Sequence, residues 1–523
     1  MSINCADSLI LSSKGGKMNT NIEIELKLRC IFPEKLDEIY SLPIFSSLKN
    51  EWQKKRIHSI YYDTKDNTFL NSGIIFRIRS ENGVWVQTVK VTGNSNGGFS
   101  RRKEYNVELQ NEKPDLAVLK DSHLKSFIKD TKSKFELLPI FETIFDRSLL
   151  IYPYEKRSVL EVAVDVGKII AKEKTEDFCE VEIELKEGNI SCILKLAEEL
   201  SKSFNFLLEP RSKFYRGIML ANLEPKFEFQ KERDPDIIAE EGLQNELIEK
   251  LQTLISYHNK FVENPENFDN LHDFRVSLRK IRTLLKFGKP LIEQEHLDHW
   301  LDEFDHITEL TNSLRETDVL IEEWRSFLST TKQENLKSST LTLKLLEERQ
   351  NKLNQIYPFF SEGKFTSLFL GFWYWLLEGA FLVDDSVNLK LKKFVKERLS
   401  TWLRKTLKRL KKTNFNNEND LHKLRIASKD LRYSLETFSF TLKPSTKEMI
   451  SRLKRIQDIL GYIHDTQTFS VYLENLISSS DEPEIHKESG WLLGYRLHSD
   501  QSLKSDLEKQ WKKFKEQARF FIE

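Results

Sequence analysis

The clearest pattern along this chain is an alternation of charged and aliphatic residues between Asn21 and Arg29. Glu23, Glu25 and Lys27 alternate with three aliphatic residues, and successive side chains of a strand point to opposite faces. The pattern therefore predicts a strand with both carboxylates and the ammonium group on one face. Alternatively, this polar face could be turned to solvent, as in most half-buried strands.

Later segments of the first half repeat this alternation, with charges of both signs at every second position. The charged positions of these predicted strands are Arg77, Arg79, Lys90, Arg102, Glu104, Arg147, Glu161, Asp165, Glu180, Glu182 and Glu184. So many charged faces cannot all be solvated in one small sheet. We therefore predict a barrel whose charged residues point inward, with a helical stretch at Asp115–Asp130 interrupting the sheet.

Beyond residue 240 the pattern changes to long amphipathic stretches of helical period, which predicts an all-helical second half. The charged segment 222–240 contains two prolines and is predicted to be a linker. The segment Phe365–Val383 is the most apolar of the chain. Because Glu378 interrupts it and aromatic residues are frequent in it, we prefer a buried helix over a membrane span.

The helical half also contains an internal repeat, in which Leu271–Phe287 recurs as Leu421–Phe438. Each copy carries four His, Arg or Lys side chains at offsets 0, 3, 7 and 10, which fall on one stripe of a helix. These stripe residues are His272, Arg275, Arg279 and Arg282, and then His422, Arg425, Lys429 and Arg432. One polar stripe is often only the solvated side of a helix, but two copies indicate a polyanion groove between two pseudo-symmetric bundles.

Composition limits the class of protein. A chain of 523 residues with 39% hydrophobic and 31% charged residues is typical of a globular protein of several domains. Lys plus Arg equals Asp plus Glu at 81 each, so net charge alone does not indicate a polyanionic partner. The four scattered cysteines are expected to be reduced thiols of a cytoplasmic protein. Residues 1–20 are predicted to be a disordered lead without signal-peptide features, and Met1 and Met18 remain alternative starts.

The charged positions of the first half belong to two chemical groups. Arginine and lysine hold phosphate oxygens, and the planar guanidinium bonds two of them at once. Carboxylates are hard ligands suited to Mg²⁺ or Mn²⁺. Cations for phosphate and carboxylates for a divalent metal, inside one barrel, are what phosphoanhydride hydrolysis requires.

Taken in order, the motifs of residues 21–221 resemble those of a CYTH domain, of the triphosphate tunnel metalloenzyme superfamily. The matching motifs are ExExK (Glu23–Lys27), YYDT (Tyr61–Thr64), FRIR (Phe76–Arg79), RKEYNVEL (Arg102–Leu109), CEVEIEL (Cys179–Leu185) and SKFYRG (Ser212–Gly217). The resemblance implies an eight-stranded antiparallel β tunnel barrel that takes a linear triphosphate and uses Mg²⁺ or Mn²⁺.

The same resemblance implies roles for individual residues. Glu23, Glu25 and Lys27 would be catalytic, and the metal ligands would be Glu23, Glu25, Glu161, Glu182 and Glu184. The phosphate-binding residues would be Arg56, Arg77, Arg79, Lys90, Arg102, Arg147, Lys213 and Arg216. The motifs are most similar to those of bacterial inorganic triphosphatases, which release pyrophosphate and phosphate. A thiamine or nucleoside triphosphatase and a non-catalytic polyphosphate-binding adaptor are the alternatives.

Residues 241–523 resemble a CHAD domain, the conserved-histidine α-helical domain, most closely around both stripes. The resemblance implies that the eight stripe residues bind polyphosphate. Asn312 stands where the family often has Gly, Lys429 replaces an Arg, and His464 stands where Asn is common. The predicted fold class is thus α+β multidomain, with an all-α pseudo-symmetric bundle after the barrel. A membrane is not expected as a partner, and nucleic acid is a weaker third option, because the stripes lack interleaved stacking aromatics.

Overall fold

The computed structural model describes residues 21–91, 95–96, 99–115, 136–155, 158–224, 233–331, 339–381, 389–415, 417–443 and 446–522. The chain divides into two compact units. The sheet unit contains the described residues up to 224 together with Ser361–Glu378, and the helical unit contains the described residues of Arg233–Phe360 and Gly379–Glu523. The predicted disordered lead and, apart from Asp115, the predicted helix at Asp115–Asp130 lie outside the described residues.

One antiparallel sheet of ten strands is present among the described residues. Its strands are β1 (Asn21–Cys30), β2 (Gln53–Thr64), β3 (Ile74–Glu81), β4 (Val84–Val91), β5 (Ser95–Asn96), β6 (Phe99–Leu109), β7 (Leu137–Tyr154), β8 (Ser158–Ala171), β9 (Lys174–Glu187) and β10 (Phe206–Leu208). They are ordered β10-β1-β9-β8-β7-β2-β3-β4-β6-β5, and β1 additionally pairs with β6. The predicted antiparallel sheet is confirmed, whereas the strand count exceeds the predicted eight by the two short strands β5 and β10.

The helices are distributed over both units. They are α1 (Thr68–Asn71), α2 (Ser191–Ser203), α3 (Lys213–Leu220), α4 (Ala239–Glu263), α5 (Phe268–Phe287), α6 (Gln294–Leu310), α7 (Asn312–Thr330), α8 (Thr340–Ser361), α9 (Thr366–Glu378), α10 (Leu391–Lys412), α11 (Glu418–Thr437), α12 (Thr446–Ser479) and α13 (Pro483–Ile522). Short 3₁₀ segments occur at Pro33–Ser41 and Pro43–Leu48, between β1 and β2. The predicted all-helical character of the second half is confirmed.

Both faces of the sheet are buried at β1. Leu26 and Leu28 are completely buried, and on the opposite face Glu25 and Lys27 are only 5% and 6% exposed. The aliphatic face packs toward α2, which itself buries Leu194 and other apolar residues. The charged face of β1 is therefore not a solvated face, which removes the alternative interpretation of the alternation.

Helix α3 packs tightly against the sheet. A cluster of buried apolar residues joins Ile218 of α3 to Phe141, Phe145 and other residues of the strands. A Cβ atom on Gly217 would lie 2.2 Å from the ring of Phe141, so glycine permits this close approach. The packing fixes the first turn of α3, where Lys213 is buried.

Helix α9 comes from the helical half of the sequence but belongs to the sheet unit. The Thr366 hydroxyl donates to the Phe206 carbonyl oxygen at 2.6 Å, and the Asn189 amide donates to Glu378 at 3.0 Å. Leu370 is completely buried. The segment is thus a buried helix, and no helix of the described ranges is long and apolar enough to cross a membrane.

The two copies of the sequence repeat form equivalent helices, α5 and α11. Each begins at an asparagine, Asn267 or Asn417, whose side chain accepts a hydrogen bond from a backbone N–H of the first turn. The helices lie side by side, because the Thr283 hydroxyl of α5 donates to Asp430 of α11 at 2.9 Å. The repeat therefore places the two stripes on neighbouring helices.

Candidate functional site

The charged face of β1 carries a buried ammonium group between two carboxylates. Lys27 Nζ lies 2.5 Å from Glu25 Oε1 and 3.0 Å from Glu182 Oε1. Burial alone would lower the pKa of Lys27, but the negative charges of Glu182 and Glu25 outweigh it and raise the pKa above its usual value. Lys27 therefore stays protonated at neutral pH and offsets part of the charge of these carboxylates.

A second group of carboxylates, the acidic cluster, consists of Asp165, Glu180 and Glu182, whose oxygens lie within 4.8 Å of one another. Such spacing would suit a metal ion. However, Lys213 Nζ donates to Asp165 at 2.7 Å, to Glu182 at 3.1 Å and also to Glu180. Because an ammonium group already contacts all three carboxylates, we interpret the acidic cluster as the counter-charge of Lys213.

Arg147 on β7 ties the acidic cluster together. Its Nε and one terminal nitrogen donate to the two oxygens of Asp165 at 2.7 and 2.6 Å, and the same terminal nitrogen donates to Glu182 at 2.5 Å. Burial would lower the pKa of Arg147, but the carboxylates raise it well above its usual value. Burial would raise the pKa of Glu182, but the positive charges of Lys213 and its neighbours hold it well below its usual value. This network fixes the guanidinium in one orientation.

A different set of carboxylates, the carboxylate row, crosses three neighbouring strands. Glu25 of β1 lies opposite Glu184 of β9, and Glu184 lies opposite Glu161 of β8. Like charges directly opposite each other are destabilising unless cations intervene. Lys186 Nζ lies 2.8 Å from Glu184 and 3.2 Å from Glu161, and its side chain is 36% exposed. The carboxylate row is therefore held by an exposed cation, unlike the acidic cluster.

The cationic wall is a group of three positively charged side chains, Arg77 and Arg79 of β3 and Lys90 of β4. Arg77 and Lys90 are each 7% exposed. Burial and the positive charges of Arg77 and Arg147 lower the pKa of Arg79. Burial would raise the pKa of Tyr61, but Arg77 and Arg79 outweigh it and lower the pKa. Arg79 is also paired with Glu81 at 3.3 Å, and such a concentration of cations on one face is suited to binding an anion.

The structure does not bring all residues implied by the resemblance to this face. Arg56 lies on the opposite face of β2, where its guanidinium bonds Asp146 at 2.7 Å and is 64% exposed. Lys55, its neighbour, lies in register with Arg147 instead. Arg216 is buried and bonds Glu176 at 2.7 Å and Glu180 at 3.2 Å, so it extends the acidic cluster.

The side chains of Glu23 and Arg102 lie outside the described residues, although their backbones pair in register between β1 and β6. Asp165 and Glu180 also line the charged face, but they are not among the metal ligands that the resemblance implies. Alternation placed both on the correct face, but no sequence pattern indicated that Lys213 from a helix would contact them.

In the helical unit, the two stripes form a second cationic region, the stripe cluster: His272, Arg279, Arg315, His422, Arg425 and Lys429. Burial, followed by the charges of Arg425 and Arg279, lowers the pKa of Lys429 to about 6, although Asp465 opposes the shift. Burial and the charges of Arg315 and Arg279 lower the pKa of His272 to about 4. These effects connect side chains of α5 with side chains of α11, so both copies contribute to one region.

Four stripe residues form hydrogen bonds or ion pairs within the helical unit, among them Arg425, whose guanidinium lies 3.8 Å from Asp465. Arg275 donates to the Thr308 carbonyl oxygen at 2.7 Å and to Asn312 at 2.6 Å, so it holds the α6–α7 junction. Arg432 donates to Gln457 and Glu436, both at 2.7 Å. Arg282 forms an ion pair with Asp305.

Sequence reasoning missed Arg315 of α7, whose charge acts on His272. The only signal for it was its place three residues after Asn312, at the bend that follows the first stripe. The corresponding position after the second stripe is His464, whose ring lies 5.2 Å from that of His422. In each copy, a side chain from a later helix therefore acts on or contacts the stripe histidine: Arg315 of α7 for His272, and His464 of α12 for His422.

Comparison with known proteins agrees with this division of the chain. Residues 21–218 match the family model described as CYTH domain, and residues 246–474 match the model described as CHAD domain. The chain therefore contains a CYTH domain followed by a CHAD domain.

A Haemophilus influenzae protein named inorganic triphosphatase is 34% identical to this chain over 202 residues, which are 38% of this chain and 55% of that protein. The chain thus spans about half the length of this curated relative. A crystal structure of the CHAD domain from the plant Ricinus communis is 22% identical, with a TM-score of 0.46, over 54% of this chain and 94% of that one. A putative adenylyl cyclase from Hippeastrum, described as having a dominant triphosphatase activity, is 19% identical, with a TM-score of 0.28, over 37% of this chain and 95% of that one.

Proposed function

We propose that the CYTH domain hydrolyses inorganic triphosphate to pyrophosphate and phosphate with the help of a divalent metal ion. The observation that supports the proposal is that one face of the sheet carries both the cationic wall, suited to phosphate oxygens, and the carboxylate row, suited to a divalent metal. The 34% identity to a protein named inorganic triphosphatase favours this substrate class. In this proposal, the additional pairing of β1 with β6 brings the eight longer strands into a tunnel around the charged face.

In this proposal the metal would bind at the carboxylate row, because Lys213 already contacts all three carboxylates of the acidic cluster. Hard oxygen donors from three strands suit Mg²⁺ or Mn²⁺, and the exposed Lys186 can be displaced from Glu161 and Glu184 at small cost. Glu25 adds a third donor, and Glu23 would join it on the same face of β1. The metal would neutralise phosphoryl oxygens as a Lewis acid.

The chain's own residues position the substrate. Arg77, Arg79 and Lys90 would hold the phosphates by charge-assisted hydrogen bonds, and their preorganised geometry would supply much of the rate. Lys27, protonated and fixed between Glu25 and Glu182, would face the same substrate. Arg147 is oriented by Asp165 and would reach the phosphate chain from β7.

For the helical unit, we propose that the stripe cluster binds polyphosphate. Several cations from two helices act on one another there, and burial followed by the charges of Arg425 and Arg279 lowers the pKa of Lys429, although Asp465 opposes the shift. An incoming chain of phosphates would relieve this repulsion.

Phosphate release tests the catalytic proposal. Tripolyphosphate, ATP, thiamine triphosphate and long-chain polyphosphate would be compared with Mg²⁺, Mn²⁺ or EDTA, using the full chain, Glu25→Gln and the exposed control Glu173→Gln. We expect EDTA-sensitive release from tripolyphosphate that Glu25→Gln alone lowers by about 10² to 10³-fold. Faster release from ATP or thiamine triphosphate would replace the substrate assignment, and binding without any release would favour a non-catalytic adaptor.

A further inference from the structure

Helix α10 carries a strong positive charge that neither proposed site uses. Among its 22 residues are ten Lys or Arg and a single acidic residue, Glu397. The segment from Arg404 to Lys412 contains six cations and no acid. Within the described part of the chain, no carboxylate lies within ion-pair distance of Lys405, Lys408 or their lysine neighbours on the exposed face.

Helix geometry alone does not account for this charge. Basic residues in the last turn interact favourably with the helix dipole, but the effect falls off beyond one turn. Arg404 and Lys405 precede the end of α10 by two turns. A solvated basic face is the simplest remaining explanation, and a cavity beside this face argues against it.

The cavity has a volume of about 390 Å³ and lies between α10 and α11. Four cations of α10 line it: Lys405, Lys408, Arg409 and Lys412. Its apolar wall is formed by Trp402, Ala427 and Ile426, and Ile426 is 42% exposed. Asp430 adds one carboxylate. The cavity thus combines phosphate-binding cations with an apolar surface large enough for a planar ring.

This cavity is separate from the stripe cluster. On α11, Ile426, Ala427 and Asp430 line the cavity, whereas His422, Arg425 and Lys429 belong to the stripe. At 100° per residue, the two sets point roughly a third of a turn apart around the helix. A ligand in the cavity therefore does not occupy the stripe cluster.

Inorganic polyphosphate would satisfy the cations but leave the apolar wall without a partner. A nucleotide satisfies both, because its base packs on aromatic and apolar side chains while its phosphates meet Lys and Arg. Asp430 can accept a hydrogen bond from a base amino group or a sugar hydroxyl. The segment from Arg404 to Lys412 carries six cations over roughly 12 Å of helix, more than the phosphate of a single nucleotide can neutralise. We propose that the α10–α11 cavity and the basic face of α10 bind single-stranded nucleic acid, with one base in the cavity.

The experiment measures binding of a fluorescent dT10 strand and of an abasic strand of equal length to the full chain. We expect the abasic strand to bind roughly tenfold more weakly, because stacking of the base is lost, and a mononucleotide to bind far more weakly than dT10. Ile426→Glu should remove the preference for dT10 over the abasic strand. Lys405→Gln combined with Lys408→Gln should weaken the binding of both strands and make their affinity less dependent on salt concentration.

The matched control is Arg279→Gln with Lys429→Gln in the stripe cluster, which should leave dT10 binding unchanged and weaken long-chain polyphosphate binding. Equal affinity for dT10 and the abasic strand would overturn the base-binding cavity. Loss of dT10 binding only in the stripe variant would contradict binding at the α10–α11 cavity. If a mononucleotide bound as tightly as dT10, binding of a strand along the basic face of α10 would be contradicted. None of these results depends on phosphate release by the CYTH domain.

Discussion

Lys213 of the CYTH domain and Lys429 of the CHAD domain are both shielded from solvent, but their neighbours differ in sign. Lys213 contacts three carboxylates, and although burial opposes it, their charge raises the pKa above its usual value. Lys429 lies among Arg425, Arg279 and Arg432, and burial together with these charges lowers its pKa to about 6. The same side chain is thus a protonated counter-ion in one region and, in the other, a side chain whose protonation is opposed by burial and by neighbouring cations.

This difference distinguishes the two kinds of site. Many charges on the charged face of the CYTH domain are balanced by direct ion pairs, and in our proposal the cationic wall and the carboxylate row bind substrate and metal. The stripe cluster leaves its repulsion to be relieved by an anion. A region of the first kind suits chemistry on a small, highly charged substrate, and a region of the second kind suits binding of a polyanion.

The largest expected effect follows from removing Lys213. Lys213→Met would leave three buried carboxylates without their shared ammonium group, at a cost of about 3–5 kcal/mol in the free energy of unfolding. Urea denaturation at pH 8 measures this change, with Lys202→Met on the exposed face of α2 as control. If Lys213→Met unfolds at the same urea concentration as the control, the acidic cluster does not depend on this ammonium.

The next effect separates Arg79 from Arg56. Arg79→Gln removes a partly buried cation from the cationic wall and should lower turnover of tripolyphosphate by roughly 10²-fold. Arg56→Gln, on the exposed face of β2, should change turnover by less than about twofold. Steady-state phosphate release compares the two, and equal losses would show that the opposite face of β2 also contributes.

A packing prediction tests whether α9 belongs to the CYTH domain. Leu370→Ala creates a cavity beside α2 and should cost at least about 2 kcal/mol. In hydrogen exchange, protection should fall in α2 and β10 and stay unchanged in α11. Leu343→Ala, at a residue 61% exposed on α8, is the control. Loss of protection in α11 instead would place α9 with the CHAD domain.

The smallest effect concerns pH. In the ligand-free protein, Lys429 is mostly neutral at pH 7.5. A bound polyanion would raise the pKa of Lys429, so Lys429 would take up a proton on binding. Affinity for long-chain polyphosphate should rise as pH falls from 8 to 6, by up to about tenfold per pH unit. Lys429→Arg stays charged and should give a flatter profile, whereas identical profiles would exclude Lys429 from binding.

The lowered pKa of Lys429 also affects the stability of the ligand-free protein, which changes with pH in the opposite direction to the polyphosphate affinity. The unfolded chain holds this proton up to a pKa of about 10.4, whereas the native side chain holds it only up to about 6. The unfolded state therefore binds more protons within this window, and Lys429 makes the ligand-free protein more stable as pH rises from 6 to 10.

Period-two alternation was sufficient to predict which face of β1 and β3 carries Glu25, Lys27, Arg77 and Arg79. The resemblance placed Arg56 among the phosphate-binding residues, but Arg56 and Lys55 lie on opposite faces of β2, and Lys55 is the residue in register with Arg147. The contacts of Lys213 and of α9 join segments far apart in sequence, and local patterns contain no information on such packing. The repeat predicted both stripes, but only the fold shows that Arg275 holds a helix junction.

The most direct test measures two activities on the same two variants of the full chain. Phosphate release from tripolyphosphate and binding of long-chain polyphosphate would be determined for Glu25→Gln and for Arg279→Gln with Lys429→Gln. We predict that Glu25→Gln loses release by about 10² to 10³-fold and retains binding, while the stripe variant retains release and loses binding. If Glu25→Gln retains release, or if either variant loses both activities while folded, the assignment of chemistry and binding to separate regions is wrong.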